Sequence, residues 1–256
     1  MHTIRIIGPG RAGTSLAAAL SARGWSFTGF LGRGDDLSGA GRDVDVLVLA
    51  TPDDAIAEVA AAVEPVPTTT LVHLSGSLGL DALTPHPRRA ALHPLVPLPN
   101  GAVGAARLVS GVTFAVAGDP VAHALVESLG GRVVEVADRD RAAYHAAACI
   151  AANHVVALLG QVERVAASVG LHLESFLPLT RAALDDVADL GPAAALTGPA
   201  RRGDWATLSR HLDALPEGER AGYQAGAALA TRLAQQTDQQ SEQHEERAVV
   251  PAPVAV

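Results

Sequence analysis

The sequence predicts an α/β protein: an N-terminal doubly wound parallel sheet of the Rossmann type, followed by an all-helical C-terminal domain. Three observations carry that expectation. Short apolar runs alternate with helix-like segments from residue 4 to residue 136. A G-x-G-x-x-G motif joins the first apolar run to the first helix-like segment. From Asp138 onward the strand-like runs stop and long helical patterns take over.

Taken in order, Ile4, Ile6 and Ile7 form a short strand that meets Gly8-Pro9-Gly10-Arg11-Ala12-Gly13, and an Ala/Leu-rich helix follows at once. In a dinucleotide fingerprint Gly8 permits the tight turn and Gly10 lets backbone N–H groups approach a pyrophosphate. Gly13 lets helix and strand pack closely. The second strand reads as 26–31 and ends in Gly32-Arg33-Gly34. An NAD site places an acid at that strand end to hold a ribose 2′-hydroxyl. Here an arginine stands there, and Asp35 and Asp36 follow beyond the turn. Arg33 is either a solvated loop charge or a clamp for a 2′-phosphate, and its planar fork of donors between two glycines favours the clamp, hence NADP(H).

The run 44–50 is almost continuously apolar, as a parallel strand covered on both faces must be. It leads into Thr51-Pro52-Asp53-Asp54, where Thr51 or Asp53 can cap a helix over 55–63. Residues 70–74 lead into Ser75-Gly76-Ser77 and a short helix toward Leu83. The segment 90–94, ending in His93-Pro94, looks like another strand end. Strands over 112–116 and 132–136 flank a helix over 120–129. Beyond Asp138, one long helix is expected to about Val169, with further helices over 173–190, 204–215 and 217–236. The expected organisation is a dinucleotide-binding domain over 1–137, a helical substrate domain over 138–236, and a disordered Gln/Glu and Pro/Ala/Val tail over 237–256.

Composition narrows the chemistry. All 19 basic residues are arginine, so no Schiff base, P-loop lysine or lysine acid is available. The formal charge of −8 and the 3% aromatic content argue against nucleic-acid partners. No uninterrupted apolar run reaches the 18 or so residues needed to span a bilayer, and the first strand begins too early to leave room for a signal peptide. A single cysteine, Cys149, precludes an internal disulfide, and a cytoplasmic location is expected. The ten histidines show no metal-ligand spacing, so no metal is expected.

The reaction site is expected at the carboxyl ends of the strands, where Thr51-Pro52, Ser75 and His93 lie. On the first long helix His145, Cys149 and Asn153 recur every four residues as a polar stripe. Carbonyl reduction needs a proton donor at the developing alkoxide. With lysine absent, His145 is the natural acid, because an imidazole suits proton transfer near neutrality, and Asn153 can orient the substrate. Both can equally be structural side chains between helices, and Cys149 reads as a small buried filler. After Thr197-Gly198-Pro199, Arg201 and Arg202 can grip a carboxylate or simply start a helix capped by Asp204. His93 and Thr197 complete the expected substrate contacts.

The segments LATPDDAI (49–56), HLSGSLGLDAL (73–83), ALHPL (91–95), YHAAACIAANHVVAL (144–158) and ALTGPARRGD (195–204) closely resemble Rossmann-like proteins with a C-terminal domain of unknown function 2520. That group is similar to pyrroline-5-carboxylate reductase, ketopantoate reductase, 6-phosphogluconate dehydrogenase and coenzyme-F420-dependent NADP oxidoreductases. The resemblance implies an NADP-binding domain and a helical domain, like that of 6-phosphogluconate dehydrogenase, that builds a homodimer. In ketopantoate reductase and 6-phosphogluconate dehydrogenase a lysine stands four residues before the helix asparagine. Aligning that asparagine with Asn153 puts Cys149 in the lysine's place, so His145 would replace the acid. The implied activity is NADPH-dependent reduction of a small 2-oxo acid, with 2-dehydropantoate the most concrete substrate. The alternatives are an F420-dependent NADP oxidoreductase and a non-catalytic NADP-binding sensor or scaffold.

Overall fold

A computed structural model describes residues 2–248. The chain divides into two compact units, 1–153 and 154–256. The division therefore falls beyond the expected boundary at 137. The reason is local: the first helix after the sheet is tied to the strand ends by side-chain bonds set out below.

The first unit holds a seven-stranded sheet in the order β2-β1-β3-β4-β5-β6-β7. Its strands are β1 (Thr3–Ile7), β2 (Ser26–Leu31), β3 (Val46–Leu49), β4 (Thr70–His73), β5 (Arg89–Pro94), β6 (Thr113–Gly118) and β7 (Arg132–Glu135). β2, β1, β3, β4 and β5 run parallel, as expected. β6 runs antiparallel to β5, with Leu92 opposite Val116, and β7 runs parallel to β6. Alternation along the strands feeds two cores, one on each face. Ile4, Ile6, Val46 and Val48 pack on the face covered by α1 (Arg11–Ser21) and α4 (Val121–Leu129). Ile7, Leu47, Leu49 and Leu71 pack on the face covered by α2 (Ile56–Ala62). Covering both faces explains why the central strands are apolar without a break.

The sequence reading did not anticipate α3 (Gly101–Leu108). It is short and holds two glycines, but Asn100 caps it by accepting the Val103 N–H at 2.9 Å. Gly104 has a packing role, since a Cβ there would stand 2.0 Å from the hydroxyl oxygen of Ser15 on α1.

The expected single helix after Asp138 is divided. A 3₁₀ turn, Asp138–Asp140, opens into α5 (Arg141–Cys149), a π-helical turn Ile150–His154, and α6 (Val155–Ala167). The whole run has the length and apolar composition of a membrane crossing, with mean hydropathy 1.5 in its most apolar stretch, none of it buried. Tyr144, His145, Asn153 and His154 interrupt that apolarity.

The second unit continues with α7 (Leu177–Leu190), two four-residue helices, α8 (Pro192–Ala195) and α9 (Pro199–Arg202), then α10 (Trp205–Ala214) and α11 (Glu217–Ala248). α6 and α11 are joined where Arg164 pairs with Glu219 and Gln161 donates to the Glu219 carbonyl at 2.8 Å. α10 meets α11 where His211 and the Tyr223 hydroxyl share a 2.7 Å hydrogen bond. α11 runs well past residue 236, into the segment expected to be a disordered tail. Its Gln, Glu, Arg and Ala residues are good helix formers, and polar composition alone does not oppose helix. Residues 249–256 of that expected tail lie outside the described residues.

Candidate functional site

The sheet order reverses at β1, with β2 on one side and β3 on the other, and the glycine motif sits at that switch point. Gly8 and Gly13 meet the packing demands of a tight turn. Gly8 has φ +104°, and a Cβ there would lie 2.7 Å from the Ala50 carbonyl oxygen at the end of β3. Gly13 lets α1 close onto the turn, since its Cβ would stand 2.2 Å from the Gly8 oxygen. Around Gly10 a Cβ would meet nothing within 4 Å, so this is the open side of the turn. Gly10 caps α1 without a side-chain hydrogen bond, and no acidic residue occupies the first turn. The N–H groups of Arg11, Ala12 and Gly13 therefore head an uncapped helix with its positive end toward open space, which suits a phosphate.

Neighbouring groups extend this cradle. The Thr51 hydroxyl is buried without a hydrogen-bond partner among the described residues, and its backbone N is 3.1 Å from where a Gly8 Cβ would stand. Pro52 is exposed beside it. The end of β2 is drawn to the motif, because Gly8 N donates to the Leu31 carbonyl at 2.8 Å. Arg33 is exposed in the turn that follows. Asp35 folds back to the same strand end, its carboxylate accepting the Gly32 N–H at 2.7 Å. An orphaned hydroxyl, an uncapped helix and a glycine with free space fit a dinucleotide pyrophosphate.

A second cluster lies at the carboxyl ends of β4 and β5. Both imidazoles, His145 from α5 and His93 from β5, rest on Gly76. A Cβ there would lie 2.6 Å from His145 Cδ2 and 3.0 Å from Cε1 and Nε2 of His93. The two rings meet edge to face, with centroids 5.6 Å apart. His93 Nδ1 and the Tyr144 hydroxyl share a 2.7 Å hydrogen bond, which fixes the orientation of the ring. Burial first, then the His145 and Arg141 charges, push the His93 imidazole down to about 4. Burial pushes the Tyr144 phenol up to about 12. Cys149 stands one turn from His145, with Sγ 3.8 Å from Nε2.

The loop carrying Gly76 is held from below. Ser75 donates to Asp53 at 2.6 Å and accepts the N–H groups of Ser77 and Leu78, both at 3.1 Å. Ser77 also donates to Asp53, at 2.9 Å. Ser75 was expected among the cofactor contacts; its hydroxyl is committed to shaping this loop. Beneath the loop, His73 is fully buried at the end of β4, and burial followed by the Arg141 charge pushes it to about 4. Arg141, in the first turn of α5, is also fully buried.

Of the residues singled out from sequence, the structure brings Gly8, Gly13 and Thr51 together at one crevice, and Ser75, His93 and His145 together at the other cluster. Asn153 is exposed in the π-helical turn and, among the described residues, makes no hydrogen bond to that cluster. Thr197 and Arg202 are exposed in the second unit, flanking and ending α9. Asp204 caps α10 as expected, accepting the Thr207 N–H at 3.0 Å. No group of three or more potential metal ligands occurs among the described residues. Sequence reasoning passed over Arg141, Tyr144 and His73, and read Asp53 as a cap and as part of a crevice loop without linking it to Ser75. A signal did exist, because Arg141 extends the four-residue stripe of His145, Cys149 and Asn153 one turn back.

These features define a protein with a dinucleotide-type parallel sheet, a phosphate turn at its switch point and a helical C-terminal unit. Residues 109–246, more than half of the chain, match the family model described as "Domain of unknown function (DUF2520)", and the chain belongs to that family. Among solved structures it is similar to a candidate NADP oxidoreductase from Bacteroides fragilis, at 19% identity and TM-score 0.76, over 90% of this chain and 98% of that one. Protein TM1727 from Thermotoga maritima matches at 22% identity and TM-score 0.69, over 91% and 98%. Plasmodium falciparum pyrroline carboxylate reductase with NADP bound matches at 12% identity and TM-score 0.59, over 91% and 98%. At these identities the likeness is one of fold. No curated protein matches the sequence.

Proposed function

We propose that the protein is an NADPH-dependent oxidoreductase that reduces a small 2-oxo acid, with 2-dehydropantoate the first substrate to test. The observation that carries this reading is the pair of imidazoles resting on Gly76, beside a glycine turn built for a pyrophosphate. Gly8, Gly10, Arg11, Ala12, Gly13 and Thr51 would hold the dinucleotide, and Arg33 its 2′-phosphate. NADPH, when bound, supplies a hydride. The chain supplies the proton and the electrostatics. Held at about 4, His93 is neutral at physiological pH, and Tyr144, near 12, keeps its proton. His145 is then the side chain that donates to the alkoxide oxygen as it forms. His93, its ring locked by Tyr144, offers Nε2 on the Gly76 side to orient the carbonyl.

A cluster of imidazoles poised over a glycine supports turnover over a purely nucleotide-sensing role, because a sensor gains nothing from a proton donor. The solved relatives named as pyrroline carboxylate reductase and imine reductase make a cyclic imine the natural second substrate class. The deciding experiment follows NADPH oxidation with 2-dehydropantoate and with pyrroline-5-carboxylate, for the wild type, His145→Ala and Arg33→Ala. Turnover of the oxo acid should fall about 100- to 10,000-fold in His145→Ala with NADPH affinity kept, and Arg33→Ala should lose the preference for NADPH over NADH. Tight NADPH binding with no oxidation by either substrate would sink the reductase reading.

A further inference from the structure

The proposed reaction leaves one buried charge without a task. Arg141 is fully buried, yet its guanidinium is poorly satisfied. Nη1 reaches the Ser75 carbonyl only at 3.5 Å, and Nε is 3.7 Å from Asp138. Nε and Nη2 have no hydrogen-bond partner among the described residues. Asp138 is itself about half exposed and accepts the Leu80 N–H at 3.0 Å. A guanidinium kept for stability is normally saturated by carboxylates, since an under-paired buried charge is costly. The position of this one supplies a reason. It holds the carbonyl of Ser75, and the next residue is Gly76, on which both imidazoles rest.

We propose that Arg141 is a positioning residue: its buried cation anchors the Ser75–Gly76 peptide and sets the electrostatic field in which His93 and His145 work. The charged and titratable groups that face His93 are Arg141, Tyr144 and His145 from α5, His73 from β4 and Asp53 from the loop after β3. Asp53 is the acid among them and it is engaged by two serine hydroxyls, while Arg141 is the guanidinium that acts on His93 beside the larger effects of burial and His145. A positive floor of this kind adds to burial in keeping His93 neutral and favours an oxygen that gains negative charge. The anchoring of the Ser75–Gly76 peptide stands on geometry, whereas its consequence for catalysis rests on the reductase reading.

The test separates the two. Imidazole titration by NMR in the protein without nucleotide, with His93 assigned through His93→Gln, compares the wild type with Arg141→Lys, Arg141→Met and Arg141→Gln. Losing the charge should raise the His93 midpoint by about one pH unit, and Arg141→Lys should restore it toward the wild-type value. In the same variants kcat should fall with NADPH Kd unchanged, and the pH profile of kcat should move with the titration. A folded Arg141→Met or Arg141→Gln protein with an unmoved His93 midpoint overturns the proposal. So does unfolding of both neutral variants, because Arg141 would then be a residue that holds the fold. A wild type with no turnover but the expected titration shifts would remove the reductase reading and leave the field of Arg141 in place.

Discussion

Gly76 shows how a single position can decide a site without touching a ligand. The glycine is buried, its backbone lies outside the left-handed region, and its requirement is one of space. A methyl group there would meet His145 at 2.6 Å and His93 at 3.0 Å, closer than carbon atoms pack. Gly76→Ala should therefore displace both rings and lower kcat about 100-fold, the scale of a misplacement near 1 Å. NADPH affinity should stay near wild type, since the glycine turn makes no contact with Gly76 or the two rings. A variant with unchanged kcat would mean that the imidazoles do not act in the reaction. At this scale the sequence told part of the story. Gly8 and Gly13 were legible because their packing demands are local to one turn. His93 and His145 were legible as chemistry-bearing residue types near strand and helix ends. Arg141 and His73 were not, because burial and the absence of partners are created only when the loop 75–79 folds over them.

Among the elements, the strands of the parallel half were readable from unbroken apolar runs and the breaks between them. The antiparallel turn of β6 was not, because strand direction depends on how α3 carries the chain back, and α3 hides behind Pro99, Gly101 and Gly104. The π-helical turn at Ile150–His154 was equally silent, since a helical pattern of apolar residues does not reveal one extra residue in a turn. The ends of β4 and β5 bury His73 and His93 as neutral rings, both pushed to about 4. The unfolded chain takes up those protons near the ordinary imidazole value of about 6.5, before the folded chain does. Stability is thus fully present above about pH 6.5 and is lost as pH falls toward 4, at up to about 1.4 kcal/mol per pH unit for each ring. Denaturant unfolding between pH 4.5 and 7.5 measures that slope, and His93→Gln should remove about half of it, leaving the share of His73. A wild-type stability independent of pH in that window would mean that the rings are not buried neutral. Carboxylates held low, such as Asp45 and Asp119, add their losses only at still lower pH.

Across the whole molecule the two units differ in what they bury. The first encloses two apolar cores around its sheet, whereas in the second the buried apolar residues among those described are Ala166, Leu208 and Ala234. Its helices instead leave large side chains in solvent: Val156 and Leu179 are each 69% exposed, and Leu190 is 61% exposed. Contiguous aliphatic surface of this kind marks a face that another surface covers. α6 and α7 carry these residues in patterns suited to packing against further helices. We propose, as the family resemblance implies, that a second copy of the chain covers them, since a twofold contact buries the same face of both copies. Light scattering should give twice the chain mass, and a Val156→Glu, Leu179→Glu variant should give the single-chain mass with the sheet unit still folded by circular dichroism. If dimerisation also completes the reaction site, that variant should lose turnover while keeping NADPH affinity. A wild type that scatters as a single chain across accessible concentrations would rule out the second copy as the cover.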